Sequence, residues 1–275
     1  MILREMTLAE LDRVLDWAAE EGWNPGLDDA APFHAADPAG FFVAEIGGAP
    51  VAAISVVNHT EGYAFLGLYL CRPAYRGRGI GHALWRHALG HAGDRVVGLD
   101  GVPAQQDNYR RSGFVYAAEN TRFAGPLPPG DGPELRPVAV RHIPHLAALE
   151  AEANGAGKTA FLTAWLRPAE TRQTLALPGE GVPAAFVTLR RCRAGYKIGP
   201  LVAPSLPEAQ ALLAGAARLT GDAPVMIDLP GDQTALAAVC GGLGMVPCFS
   251  TARMYVGPPP VPGPAIRALA TLELG

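Results

Sequence analysis

The chain has 275 residues, a length that points to about two domains. Its hydrophobic content of 49% supports real cores and excludes a disordered chain, and a net charge of −4 spread without blocks speaks against nucleic acid or an anionic membrane as the main partner. No apolar run approaches the roughly 20 residues of a membrane span. The N-terminus lacks the basic-then-apolar order of a signal peptide, and Cys71, Cys192, Cys240 and Cys248 form no CxxC pair. We therefore expect a cytoplasmic protein with reduced, mostly buried thiols.

In chain order, the pattern predicts a strand at Ile2–Glu5, a helix over Leu8–Glu21 and a strand at Phe41–Ile46. A Gly47-Gly48 turn leads into a strand at Pro50–Asn58, and another strand follows at Ala64–Cys71. A helix over Ile80–Ala92, a buried strand at Val96–Leu99 and a short helix over Gln106–Ser112 come next, then strands at Phe114–Ala117 and Thr121–Ala124. This is a mixed α/β layout, with helices covering an antiparallel sheet that splits around one parallel strand pair. The run Gly125–Pro133 is dense in proline and glycine, lacks donors, and reads as a linker. The expected division is 1–125, a linker at 126–133, and 134–275.

The second half repeats the first at an offset of 131–132 positions. Leu3-Arg4 falls on Leu135-Arg136, and helix-like stretches follow both, the second over Val140–Glu152. Leu70-Cys71-Arg72-Pro73 falls on Leu201-Val202-Ala203-Pro204, and Gly113-Phe114-Val115 on Gly244-Met245-Val246. Arg122 to Gly125 falls near Arg253 to Gly257. Four matches in order at almost one offset imply two copies of one fold.

One segment carries chemistry. From Leu68 to Trp85 a strand runs into the turn Arg76-Gly77-Arg78-Gly79-Ile80-Gly81, which opens a helix. Glycines let the backbone approach an anion, and the first helical amides point free N–H groups at it. Arg76 and Arg78 add charge-assisted bonds. The segment is a diphosphate cradle. The GxGxxG spacing of a dinucleotide loop is not met, and Gly155-Ala156-Gly157-Lys158-Thr159 has Glu152 where a phosphate-binding loop needs its first glycine.

Arg76, Gly79 and Gly81 fit [Arg/Gln]-x-x-Gly-x-[Gly/Ala], which resembles the coenzyme A pyrophosphate loop of the GCN5-related acetyltransferases (GNAT). Tyr109-Arg110-Arg111-Ser112-Gly113-Phe114 is similar to a second signature of that family, Tyr-x-x-x-Gly-Phe. The resemblance implies two tandem GNAT-like domains, each a mostly antiparallel sheet with a splayed central parallel strand pair. It implies acetyl-CoA as cosubstrate, held by Arg76, Gly77, Arg78, Gly79, Ile80, Gly81 and His82. The backbone of Tyr69, Leu70 and Cys71 would bind the pantetheine arm where their strand splays from Val96–Asp100. Tyr109 would protonate the departing thiolate, since a phenol of pKa near ~10 holds its proton at pH 7. The family often carries an asparagine where this chain has Val102, leaving Gln105, Gln106 or Asn108 as the substitute contact.

The acceptor amine needs a base, because an ammonium cannot attack. Glu20, Glu21, Asp28 and Asp29 are the candidates, around Glu21-Gly22-Trp23-Asn24-Pro25-Gly26, a string that resembles one found in two-domain bacterial members. Glu21 is taken as the base, and Trp23 and Asn24 as acceptor contacts. His87 and His91 lie i,i+4 on the helix after the loop without a third ligand, so no metal is expected.

In the second copy the loop positions fall on Pro207 to Leu212, without glycine or arginine, and Tyr109 falls on Cys240. We expect a degenerate copy that does not bind acetyl-CoA in the usual way, stabilises the first domain and helps wall the acceptor pocket. The string Gly195 to Leu201, around Lys197, also resembles the two-domain members and reads as a strand lining a pocket. The function implied is transfer of acetyl from acetyl-CoA to an amine, most simply of a small molecule. The alternative is a non-catalytic coenzyme A-binding sensor or scaffold. No nucleic acid or membrane partner is expected, and the chain is a monomer or a homodimer.

Overall fold

The structure is a computed structural model and describes residues 1–128 and 130–275. Strand β1 (Ile2–Glu5) leads into helix α1 (Leu8–Glu20). Thr7 caps α1 by accepting from the Glu10 amide, and the Glu10 carboxylate accepts from the Thr7 amide. This reciprocal pair satisfies two donors a helix start leaves open, worth about 1 kcal/mol. Leu11, Val14, Leu15 and Ala18 form the buried face of α1.

A short helix not anticipated from sequence, α2 (Ala30–Ala36), follows. At seven residues with a proline inside, it has too little period to be read from sequence alone. Strands β2 (Phe41–Ile46), β3 (Ala49–Asn58) and β4 (Tyr63–Cys71), helix α3 (Ile80–Leu89), strand β5 (Val96–Gly101), helix α4 (Gln106–Arg111) and strand β6 (Val115–Pro126) complete the first half. The second half contains β7 (Arg136–Pro137), α5 (Ile143–Asn154), α6 (Thr159–Trp165), β8 (Arg172–Ala176), β9 (Phe186–Arg191) and β10 (Tyr196–Ala203). It ends with α7 (Leu206–Thr220), β11 (Pro224–Pro230), α8 (Thr234–Gly242), β12 (Val246–Val256) and β13 (Ile266–Ala268).

The internal repeat is visible in the hydrogen bonds. After α4 the Phe114 amide donates to the Tyr109 carbonyl across Gly113, which has φ +89. After α8 the Met245 amide donates to the Cys240 carbonyl across Gly244, which has φ +86. Each half has a parallel pair within an otherwise antiparallel sheet, β4 with β5 and β10 with β11.

The halves are not separate sheets. The strand order is β1-β2-β3-β4-β5-β12-β6-β11-β10-β9-β8-β7, with β13 beside β10. The last long strand of each half has crossed over, so β12 pairs with β5 while β6 pairs with β11. Consequently β6 is one strand of 12 residues where two short ones were expected. Its centre, around Glu119-Asn120, is held on one side by β12 and on the other by β11. Tertiary pairing overrides a weak local turn signal there.

The core crosses between the halves as well. Phe33 of α2 packs against Phe161 and Trp165 of α6, with ring centroids 6.2 and 5.9 Å apart, in a cluster that also holds Leu11, Phe186 and Leu274. The Gly/Pro stretch after β6 carries no helix or strand among its described residues; Pro129, within the expected linker, lies outside them. Its flank packs against the second half, with Leu127 and Leu135 buried and Gly132 against the Ala214 backbone. No described helix is long and apolar enough to cross a membrane. All four cysteines are free; Cys192 and Cys240 are buried, whereas Cys248 is exposed.

Candidate active site

Strand β4 bends at Leu68, a non-glycine residue in the left-handed region at φ +46. Opposite it the β3–β4 register slips between Ala53 and Ser55, which marks a bulge. Pairing of β4 with β5 stops at Leu66 opposite Leu99. Beyond that point Tyr69, Leu70 and Cys71 line an open cleft of about 490 Å³ together with Tyr75, Arg76, Gly77, Gly79, Ile80, Gly81 and His82.

The head of the cleft is built by backbone. Gly77 and Gly79 have φ +74 and +75, and a Cβ at either would touch nothing. Glycine is needed here for conformation rather than for space. The first helical bond of α3 runs from the Ala83 amide to the Gly79 carbonyl, so the amides of Ile80, Gly81 and His82 precede the ladder. Arg76 is fixed by its Nε donating to the Cys71 carbonyl at 2.8 Å, and its other edge pairs with Glu21. Backbone donors, a helix dipole and a guanidinium converging on one open cleft fit a diphosphate. Arg78 turns away from the cleft lining and stacks on Tyr75, 5.3 Å from the ring centre.

Tyr69 lies between the cleft and the interior. Its hydroxyl occupies the space a Cβ on Gly81 would need, and burial pushes its pKa up. Tyr109 stacks on Trp85 at 5.4 Å and lies against Gly101, where a side chain would collide with its ring. Burial raises the Tyr109 pKa as well, so it carries its proton at neutral pH. A second opening of about 380 Å³ joins Tyr109 to Tyr69, His82, Gln105 and Asn108.

On the far side of Tyr109 a cavity of about 70 Å³ lies in the β4–β5 gap. First-half residues Trp23, Gly67, Tyr69, Asp100 and Gln105 line it, and so do Phe249 and Thr251 of β12 and Leu272 and Glu273 of the C-terminal segment. Arg122 of β6 lines it too, held in a buried pair with Asp228 at 2.7 and 2.9 Å. Burial alone would raise the Asp228 pKa, but Arg122 overrides this and holds it below the usual range.

The predicted residues divide accordingly. Tyr69 to Cys71, Arg76, Gly77 and Gly79 to His82 converge on the cleft, and Asn108 and Tyr109 join it. Gln105 lines all three spaces, whereas Gln106 instead donates to the Gly101 carbonyl at 3.3 Å. Glu21 does not line the inner cavity; it faces Arg76 in the outer cleft. Glu20 pairs with Arg72, Asp28 accepts from Thr171, and buried Asp29 accepts from the Gly26 amide at 2.7 Å. Asn24 bonds both ways with the Ala194 backbone, at 2.9 and 3.1 Å, rather than facing the cavity. The Glu21–Gly26 string is therefore largely a clasp between the halves, and Trp23 alone of it reaches the inner cavity. Lys197, from the second motif string, completes that clasp by donating to the Trp23 carbonyl at 2.8 Å.

In the second half the gap beside β10 is occupied by the chain itself, and a smaller opening of about 270 Å³ at the strand's end is lined by Glu152, Val202 and Pro204. β13 pairs with β10 at Leu201–Ala203, and the Leu269 amide donates to the Asp228 carbonyl of β11 at 2.9 Å. The chain itself fills the gap between the second parallel pair. The helix that follows, α7, begins after Ser205 with Pro207 and no glycine in its first turn.

Comparison with known proteins agrees with this geometry. Residues 8–114 match the acetyltransferase (GNAT) family, and residues 146–267 match an acetyltransferase (GNAT) domain. The chain is 34% identical to a holothin acyltransferase from Pseudoalteromonas sp. (strain SANK 73390), over 98% of this chain and 92% of that protein. Its fold is similar to that of a putative acetyltransferase from Pyrococcus horikoshii, with a TM-score of 0.83, 21% identity and coverage of 100% and 95%. It also resembles a tandem GNAT protein from the clavulanic acid biosynthesis pathway, with a TM-score of 0.64, 19% identity and coverage of 94% and 99%.

Proposed function

The chain belongs to the GNAT acetyltransferase family and is an acyltransferase, and from that premise we propose that it transfers an acetyl group from acetyl-CoA to the amine of a small molecule. The observation that carries this reading is the continuity of the site. A cradle of free amides with Arg76 leads along the free edge of β4 to a protonated phenol, Tyr109, and then into a small cavity lined by both halves. Arg76 and the α3 amides would hold the diphosphate, and Tyr69 to Cys71 the pantetheine arm. The thioester would then lie beside Tyr109. The small inner cavity, about 70 Å³, favours a compact acceptor over a protein surface.

In this reading residues 1–125 supply the cofactor site. Residues 134–275, whose equivalent gap β13 fills, supply part of the acceptor wall. Calorimetric titration with acetyl-CoA tests it. One molecule should bind per chain, and Gly79→Glu, which sets a carboxylate in the diphosphate cradle, should abolish the binding altogether. Two molecules per chain, or binding that survives Gly79→Glu, would remove the reading. Acetylation of small amines by the wild type, and none by Gly79→Glu, completes the test.

A further inference from the structure

The segment that leaves β13 runs past both strand bulges. A Cβ on Gly199 of β10 would collide with the Leu269 carbonyl, and a Cβ on Gly67 of β4 would collide with the Glu273 carbonyl. The end of the segment is anchored by both halves. His59 Nε2 lies 2.9 Å from the Leu274 carbonyl, and Lys158, in a buried 2.8 Å pair with Glu150, donates to the Gly275 carbonyl. Lys158 belongs to the string that resembled a phosphate loop; it holds the tail instead. The effect is to carry Leu272 and Glu273 into the inner cavity beside Tyr109.

Two carboxylates line that cavity, and their partners distinguish them. Both oxygens of Asp100 are committed, to Arg253 at 2.8 and 2.7 Å and to Asn120 at 2.6 Å. Glu273 accepts from the Thr271 hydroxyl through Oε2, while Oε1 accepts no hydrogen bond from the described residues. A second polar group in the same wall is also unmatched: the buried Thr251 Oγ1 has no partner. A buried hydroxyl left without a bond is destabilising unless a ligand supplies one.

We propose that Glu273 and Thr251, both from the second half, form the acceptor-amine subsite, with Glu273 taking the proton of the acceptor ammonium. This rests on the acetyl-transfer reading above. The acceptor class is a compact primary ammonium with one hydrogen-bonding group near the amine. Glu273 removes one proton and passes it to solvent. The freed lone pair adds to the thioester carbonyl carbon, forming the C–N bond. As the C–S bond breaks, its electron pair leaves on sulfur, and Tyr109 protonates it. The second nitrogen proton, lost as the amide forms, restores the Tyr109 hydroxyl. Net, one proton goes to the thiol and one to solvent. The charged groups around Glu273 are Arg122 with Asp228, Lys197 of β10, and Asp100 with Arg253.

The test compares wild type with Glu273→Gln on two probes of similar size. n-Butylamine is an ammonium at pH 7, with a pKa of about 10 like a lysine side chain. O-Ethylhydroxylamine is already neutral there and needs no base. Calorimetric binding of acetyl-CoA should be the same in both proteins. Glu273→Gln should lower kcat/KM for n-butylamine by about 100-fold or more and that for O-ethylhydroxylamine by less than about threefold, the neutral probe needing no base. Glu273→Asp, which keeps the carboxylate, should recover much of the n-butylamine rate; a merely structural role would make both variants fail alike on both probes. Thr251→Val should raise KM for O-ethylhydroxylamine, whose oxygen sits beside its nitrogen, about tenfold, the loss of one buried hydrogen bond, with little change in kcat. Equal losses on the two probes, or no loss, overturn the role of Glu273 while leaving acetyl transfer intact. A wild type that binds acetyl-CoA yet acetylates neither probe overturns the underlying reading.

Discussion

Gly67 and the carbonyl of Glu273 are in contact so close that no side chain fits at position 67. A residue at the β4 bulge and a residue 206 positions later thus share one small space. The φ of Gly67 is not in the left-handed region, so the constraint is space alone. Gly67→Ala should displace the tail. We expect kcat to fall at least tenfold, acetyl-CoA affinity to hold, and stability to drop by about 1–3 kcal/mol, the usual cost of overpacking. Steady-state kinetics, calorimetry and urea unfolding read the three quantities.

Tyr109→Phe removes the hydroxyl and keeps the ring stacked on Trp85 and packed against Gly101. It should lower kcat by about 100-fold with KM little changed. Because burial holds the phenol protonated, the wild-type rate should show no alkaline fall due to Tyr109 between pH 7 and 10. A Phe variant of undiminished kcat would end the acid role.

Arg122 and Asp228 join the exchanged strand β6 to β11 of the second half. Arg122→Met leaves the Asp228 carboxylate buried without its partner, at a cost of about 3–5 kcal/mol. Replacing both, as Arg122→Met with Asp228→Leu, should recover most of that. Urea denaturation of the single and double variants measures it. Equal instability in both would show that the lost contact with the Trp23 carbonyl, 3.1 Å from Arg122, matters more than the charge.

His59 is held at a pKa of about 3, first by burial and then by the neighbouring Lys158 charge. In the unfolded chain it titrates near ~6.5, so as pH falls the unfolded state takes up a proton the folded state refuses. Stability should therefore decline as pH drops from about 6.5 toward 3. Glu10, held at about 2 chiefly by Arg4, adds its own loss only below about 4.5. Between pH 7 and pH 5 the melting temperature should fall less in His59→Gln than in wild type. Parallel melting curves for the two proteins over that interval would remove His59 as the cause.

Much of the cleft proposed to hold the cofactor was legible in the sequence because it is local. A glycine must stand where φ is positive, and a helix start must expose its amides, so Arg76 to His82 can be read from consecutive residues. Tyr109 and its Gly113 turn belong to the same kind of signal. The degeneracy of the second half was visible as the missing glycines near Pro207, and the repeat itself as a constant offset. The inner cavity proposed to take the acceptor was not legible. Glu21, Trp23 and Asn24 were grouped by proximity in sequence, yet Glu21 faces Arg76, Asn24 clasps Ala194, and Trp23 alone of the three reaches the inner cavity.

The sequence by itself determined two copies of one fold, the cradle before α3 and the phenol on α4, since each is set by bonds within a few residues. The tertiary structure decided which carboxylates line the cavity that Tyr109 borders. β12 crosses between β5 and β6, and the tail crosses both bulges before its end is held by His59 and Lys158. Those placements depend on strand pairing and burial between residues far apart in the chain, where no local pattern encodes the partner.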